Sequence, residues 1–162
     1  VLKKIVSLFQ SKPKENTQNP KLEVEGVEAY FNKELNACEL ISKDKYSIVM
    51  QHLLHESKLK VEDISRIFGA PREQAQKINA AINVIYCKAT ITRAWDDNLY
   101  KCINAEVKKF SLSSAITNED CEWCKSILGK ELELDSTTKA MFEKNCQCKP
   151  YRKSFIQPKI EF

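Results

Sequence analysis

The chain has little of what tight turns require. Its 162 residues include only 3 glycines and 5 prolines, too few for the many sharp reversals of an all-β sandwich. It also lacks any long apolar run. The stretch Ile5 to Phe9 in VLKKIVSLFQ is too short for a signal-peptide core and far too short to cross a bilayer. The expected location is therefore the cytoplasm, where thiols stay reduced. Seven cysteines, an odd number, fit that expectation, because secreted disulfide scaffolds normally pair them all. Catalytic patterns are missing too. No glycine-rich phosphate loop, no H-E-x-x-H and no Ser/His/Asp or Cys/His arrangement is present, so a non-catalytic protein is expected.

What is there is a mainly helical pattern. The net charge of +4 permits contact with nucleic acid or an acidic partner without requiring it. Opposite charges are interleaved, as on a solvated surface, apart from short basic runs at Lys108-Lys109 and Lys149 to Lys153. Residues 1–21 divide into a short amphipathic stretch and a polar linker holding two prolines. From Leu22 apolar residues recur every three or four positions, through Val24, Val27, Tyr30-Phe31, Leu35 and Cys38. A second helix is predicted from Lys45 to Ser57, with Ile48, Val49, Leu53 and Leu54 inward. After Gly69-Ala70-Pro71, the positions Ile78, Ile82, Ile85, Ala89, Trp95, Leu99, Ile103 and Val107 keep helical spacing. They fit one long helix or two with a break near Asp96-Asp97-Asn98. Lys108 to Ala115 is a candidate strand. The resulting division is an N-terminal segment at 1–21, a helical domain at 22–115 and a cysteine-rich tail at 116–162.

That tail carries the strongest chemical signal. Cys121-x-x-Cys124 places two sulfurs on one tight turn, and Cys146-x-Cys148 supplies a second pair about twenty residues later. Four thiolates from two such hooks suit a tetrahedral zinc ion, and a site filled by four protein ligands is structural. Gly129 suits a chain that must turn away from the metal. A redox-active or disulfide-forming C-x-x-C is the main competitor, although a thioredoxin-like context is missing. Four unrelated cysteines remain the plainest alternative. Cys38, Cys87 and Cys102 fall in or beside apolar stripes and read as small core residues.

A second signal is VEDISRIFGAPREQAQKI, which matches a helix-turn-helix spacing through Ser65, Gly69, Ala75 and Ile78. Gly69 supplies the left-handed turn. The following helix would then offer Arg72, Gln74, Gln76 and Lys77 to phosphates or base edges. Against this, Glu73 lies in the middle of that surface, and the helical pattern runs far past the usual end of a recognition helix. His52 and His55 share nearly one helical face but read as partly exposed structural residues. Asp96-Asp97 reads as a helix break or N-cap.

The run SAITNEDCEWCKSILGKEL followed by NCQC resembles the C-terminal domain of phage Mu F-like minor head (head morphogenesis) proteins. The matching positions are Cys121, Cys124, Gly129, Lys130, Asn145, Cys146 and Cys148, within about residues 61–150. The family's His-Pro before the last cysteines falls on Glu143-Lys144, so a metal would rest on the four thiolates. The resemblance implies a virion-assembly role, with portal or capsid proteins as partners and packaged DNA as a possible contact. The overall expectation is a mainly α-helical bundle with a helix-turn-helix-like pair and a small four-cysteine zinc knuckle. It would act through protein contacts in the cytoplasm or virion. A zinc-containing helix-turn-helix regulator that binds DNA is the alternative.

Overall fold

A computed structural model describes residues 21–55 and 59–160. The amphipathic stretch and nearly all of the linker expected at 1–21 lie outside them. Most described residues are helical, and a small three-stranded sheet is added near the C-terminus. The elements are α1 (Val27–Asn36), α2 (Tyr46–Leu54), α3 (Val61–Phe68), α4 (Arg72–Asn104), β1 (Lys109–Ser114), α5 (Glu122–Ile127), β2 (Glu131–Glu133), α6 (Thr138–Asn145) and β3 (Ser154–Lys159).

One helix organises the rest. α4 is 33 residues long, about 50 Å at 1.5 Å per residue, and does not break at Asp96-Asp97-Asn98. Its N-terminal half buries Ala75, Ile78, Ile82, Ile85 and Ala89 against Phe31 and Leu35 of α1, Val49 and Leu53 of α2, and Ile64 of α3. Only one edge of α2 points inward. Val49 and Leu53 are buried, whereas Ile48 and Leu54, expected inside, are 39% and 40% exposed. At 100° per residue, positions four apart share a face and their immediate neighbours do not.

The turn into α4 follows its sequence. Gly69 adopts φ +61° at the end of α3, and the Ala70 amide bonds back to the Ser65 carbonyl at 3.0 Å. A left-handed residue after a helix costs glycine little. Pro71 then stands directly before the first turn of α4.

The C-terminal half of α4 is covered differently. Trp95, Leu99 and Cys102 join Phe110 and Leu112 of β1, Cys124 of α5, Leu134, Phe142 of α6 and Ile156 of β3 in a second core. The boundary expected at 115/116 passes through this core, so the cysteine region is packed on α4 and β1. β1 lies where a strand was expected, at the centre of the sheet order β2-β1-β3, antiparallel to both neighbours. β3 pairs with it over six positions, from Lys109↔Lys159 to Ser114↔Ser154. On this outer strand Pro158 has no N–H to offer, and the Ile156 carbonyl accepts the Asn98 amide at 3.0 Å.

The two cores meet at Asp96, which is 3% exposed. Its carboxylate accepts the Tyr30 hydroxyl at 2.7 Å and the Lys139 ammonium at 2.8 Å. α1 and α6 are thereby tied to the middle of α4. Burial and the bond to Asp96 raise the Tyr30 phenol above its ordinary value. Burial acts to lower Lys139, but the hydrogen bonds to Asp96 and Tyr100 outweigh it and leave the ammonium raised. The expectation of a helix break here is corrected. This acidic residue is held inside an unbroken helix because partners from two other helices satisfy it.

Removing that carboxylate strands two polar groups, at about 2 to 3 kcal/mol. Asp96→Ala should lower the urea unfolding free energy by that amount. Asp97→Ala, which loses only an exposed pair with Lys101, should change it by less than about 0.5 kcal/mol. Equal losses at the two positions would contradict the role given to Asp96.

Candidate metal centre

The four C-terminal cysteines are brought to one point by the ends of two short helices. Cys121 immediately precedes α5 and Cys124 lies in its first turn. Cys146 ends α6, its amide bonded to the Phe142 carbonyl at 2.9 Å, and Cys148 follows two residues on. Beyond α5, Gly129 takes φ +69°, and its amide bonds to the Leu112 carbonyl at 3.0 Å. The chain is thus turned back to begin β2.

All four sulfurs lie within 4.8 Å of one another. Cys124 Sγ is 3.6 Å from Cys146 Sγ and 3.7 Å from Cys148 Sγ. A disulfide holds its sulfurs at about 2.05 Å, and all seven cysteines are free. A tetrahedral ion with metal–sulfur bonds of about 2.3 Å sets its ligands about 3.8 Å apart. The four cysteines can therefore hold a metal ion.

Backbone amides prepare the sulfurs for negative charge. The Gln147 amide donates to Cys121 Sγ at 3.3 Å, and the Cys121 amide donates to Cys148 Sγ at 3.3 Å. Burial acts to raise the Cys121 thiol, but the amides of Cys124 and Gln147 outweigh it and hold it down to about 7. The Cys148 thiol is pushed up to about 11, chiefly by burial. Cys124, fully buried, is raised further by burial and by the neighbouring Cys146 sulfur.

The floor of the site is aromatic. Phe142 packs edge-to-face against Trp95 at 4.9 Å and against Trp123 at 5.1 Å between ring centres. The Arg152 guanidinium lies 4.1 Å from the Trp95 ring centre and 4.7 Å from that of Phe142, with Nε 3.5 Å from Cys146 Sγ. Asp120 is buried beside the ligands, its Oδ1 3.9 Å from Cys148 Sγ. Sequence reasoning singles out neither residue. Arg152 belongs to the short basic run Lys149 to Lys153, and its one local signal is its place four residues after Cys148.

Comparison with models of protein families, with curated proteins and with solved structures finds no match to this chain.

The other candidate residues are not gathered into a site. Arg72, Gln74, Gln76 and Lys77 are all exposed on the first turns of α4, and Lys77 pairs with Glu73 at 3.0 Å. Helical geometry sets Arg72 and Gln74 about 160° apart around the axis, with Glu73 midway between them on the exposed arc. His52 is half-buried and His55 exposed at the end of α2. Among the described residues no helix is long and apolar enough to cross a membrane.

The thiols should react unequally when no metal is bound. With Cys121 lowered to about 7, roughly half of it is thiolate at neutral pH. Iodoacetamide at pH 7 should then label Cys121 of the chelator-stripped protein before Cys148 and Cys124, as read by peptide mass spectrometry. Labelling of Cys124 first would show that the amides do not favour Cys121.

Proposed function

We propose that Cys121, Cys124, Cys146 and Cys148 bind one zinc ion as a structural centre. In this reading the protein is a non-catalytic assembly protein acting through protein contacts. The observation that carries the metal assignment is the approach of all four sulfurs to within 4.8 Å at separations suited to a tetrahedral ion. Tetrathiolate sites favour zinc or iron. Zinc needs no redox partner, and four protein ligands leave no open position for substrate. Binding would contribute on the order of 10 kcal/mol to folding. That energy would fasten α5 and α6 beneath the sheet.

The assembly role follows the resemblance to phage Mu F-like minor head proteins, whose cysteine and glycine positions fall on Cys121, Cys124, Gly129, Cys146 and Cys148. Portal or capsid proteins are the partners that resemblance implies. The DNA-binding alternative draws less support from the geometry. Arg72 and Gln74 diverge, Lys77 is engaged by Glu73, and α4 continues far beyond the length of a recognition helix.

Metal analysis of the purified full chain tests the centre. One zinc per chain is expected, lost in Cys121→Ser and Cys146→Ser together with about 10 °C or more of Tm. Iron in its place would reassign the metal. No metal, with Cys121 and Cys124 oxidised to a disulfide, would sink the centre. For the second part, duplex DNA affinity should be weak and unchanged by Arg72→Ala with Lys77→Ala. A tight affinity that falls steeply with salt and is lost in that variant would favour the regulator instead.

A further inference from the structure

We propose that Arg152 is the charge partner of the metal–thiolate centre and the latch through which metal occupancy seats β3 on α4. The inference rests on the zinc reading above and concerns a residue outside the ligand set.

Its starting point is charge. Four thiolates around a divalent ion carry a net charge of −2, and the buried carboxylate of Asp120 lies beside them. The nearby cations are mostly engaged elsewhere. Lys125 pairs with Glu122, Lys139 with Asp96, Lys88 with Glu34 and Lys153 with Glu119. Among the described residues Arg152 has no carboxylate partner. Its Nε–H instead meets the sulfur of Cys146 at 3.5 Å. A donor to a ligand sulfur spreads the charge of the metal-bound thiolate and fixes its orientation.

The second argument is placement. The Arg152 guanidinium is stacked over Trp95 and Phe142, so one flat group touches α4, α6 and a ligand together. Two residues further on β3 begins, and its six-position ladder with β1 completes the sheet. The filled centre, with its net negative charge, supplies the counter-ion that a half-buried guanidinium over aromatic rings needs. Coupling of this kind is reciprocal: whatever the metal contributes to seating Arg152, Arg152 contributes to holding the metal.

A lysine cannot take over both parts. It lacks the planar fork that stacks on a ring while donating sideways to sulfur. A purely packing role for Arg152 would leave metal affinity unmoved, and that difference is measurable.

The test compares the full chain with Arg152→Gln and Arg152→Lys. Zinc affinity is read by competition with a chromophoric chelator. The indole N–H signal of Trp95 is followed by NMR on zinc addition and assigned with Trp123→Phe. Arg152→Gln is expected to bind zinc about 10- to 100-fold more weakly and to lose most of the zinc-dependent Trp95 shift. Arg152→Lys is expected to recover only part of either. Affinity within about twofold of the parent, with an unchanged Trp95 response, would overturn the proposal even if stability falls. Should Arg152→Gln not fold, parent-like affinity in Arg152→Lys would overturn it equally. A parent chain that binds no zinc would instead remove the zinc reading on which this rests.

Discussion

A helix of about 50 Å with an apolar stripe along its length has to be covered from end to end, and no short helix reaches that far. α4 meets this constraint with two unlike covers. Three short helices close over its first half, whereas a sheet and two helices of one to two turns close over its second. The first cover resembles any small helical core, with aliphatic residues meeting at three- and four-residue intervals. The second is aromatic, centred on Phe142, and carries four sulfurs at its edge. Asp96 stands where the two covers meet and is bonded to one helix from each.

This arrangement gives the cysteines a definite mechanical setting. α5 and α6 are 6 and 8 residues long, too short to be stable on propensity alone. Each is held at one end by its neighbours in the second core and carries a sulfur pair at the other. Amides at the start of α5 and in the Cys146–Cys148 loop point at sulfur, so the backbone already favours charge there. Geometry, burial and electrostatics thus converge on one point of the molecule, and the exposed residues at the start of α4 show no comparable convergence.

The parts of this structure that were legible in the sequence are those set by neighbours within a turn or two. The C-x-x-C and C-x-C hooks, the left-handed Gly69, the stripe from Ile78 to Leu99 and the strand near Lys108 to Ala115 all depend on local spacing. What was not legible depends on contacts between distant segments. Nothing near Asp96 announces Tyr30 and Lys139, so an acidic pair in a helical pattern reads as a break. β3 is short, contains a proline and finds its partner β1 on the far side of both cysteine pairs. Arg152 sits among lysines, and contacts that only the fold assembles, with Trp95, Phe142 and the Cys146 sulfur, distinguish it from a solvated charge. α2 shows the same limit on a smaller scale, since periodicity places Val49 and Leu53 but does not by itself reject Ile48 and Leu54.

The outer strand of the sheet carries one more consequence. Pro158 offers no N–H, and the Ile156 carbonyl is already bonded to Asn98 of α4. A visiting extended peptide that tried to lengthen the sheet there would find its hydrogen-bonding ladder interrupted at two neighbouring rungs. Recognition by strand addition therefore has no continuous template at β3, and a partner engaging this side must do so through side chains.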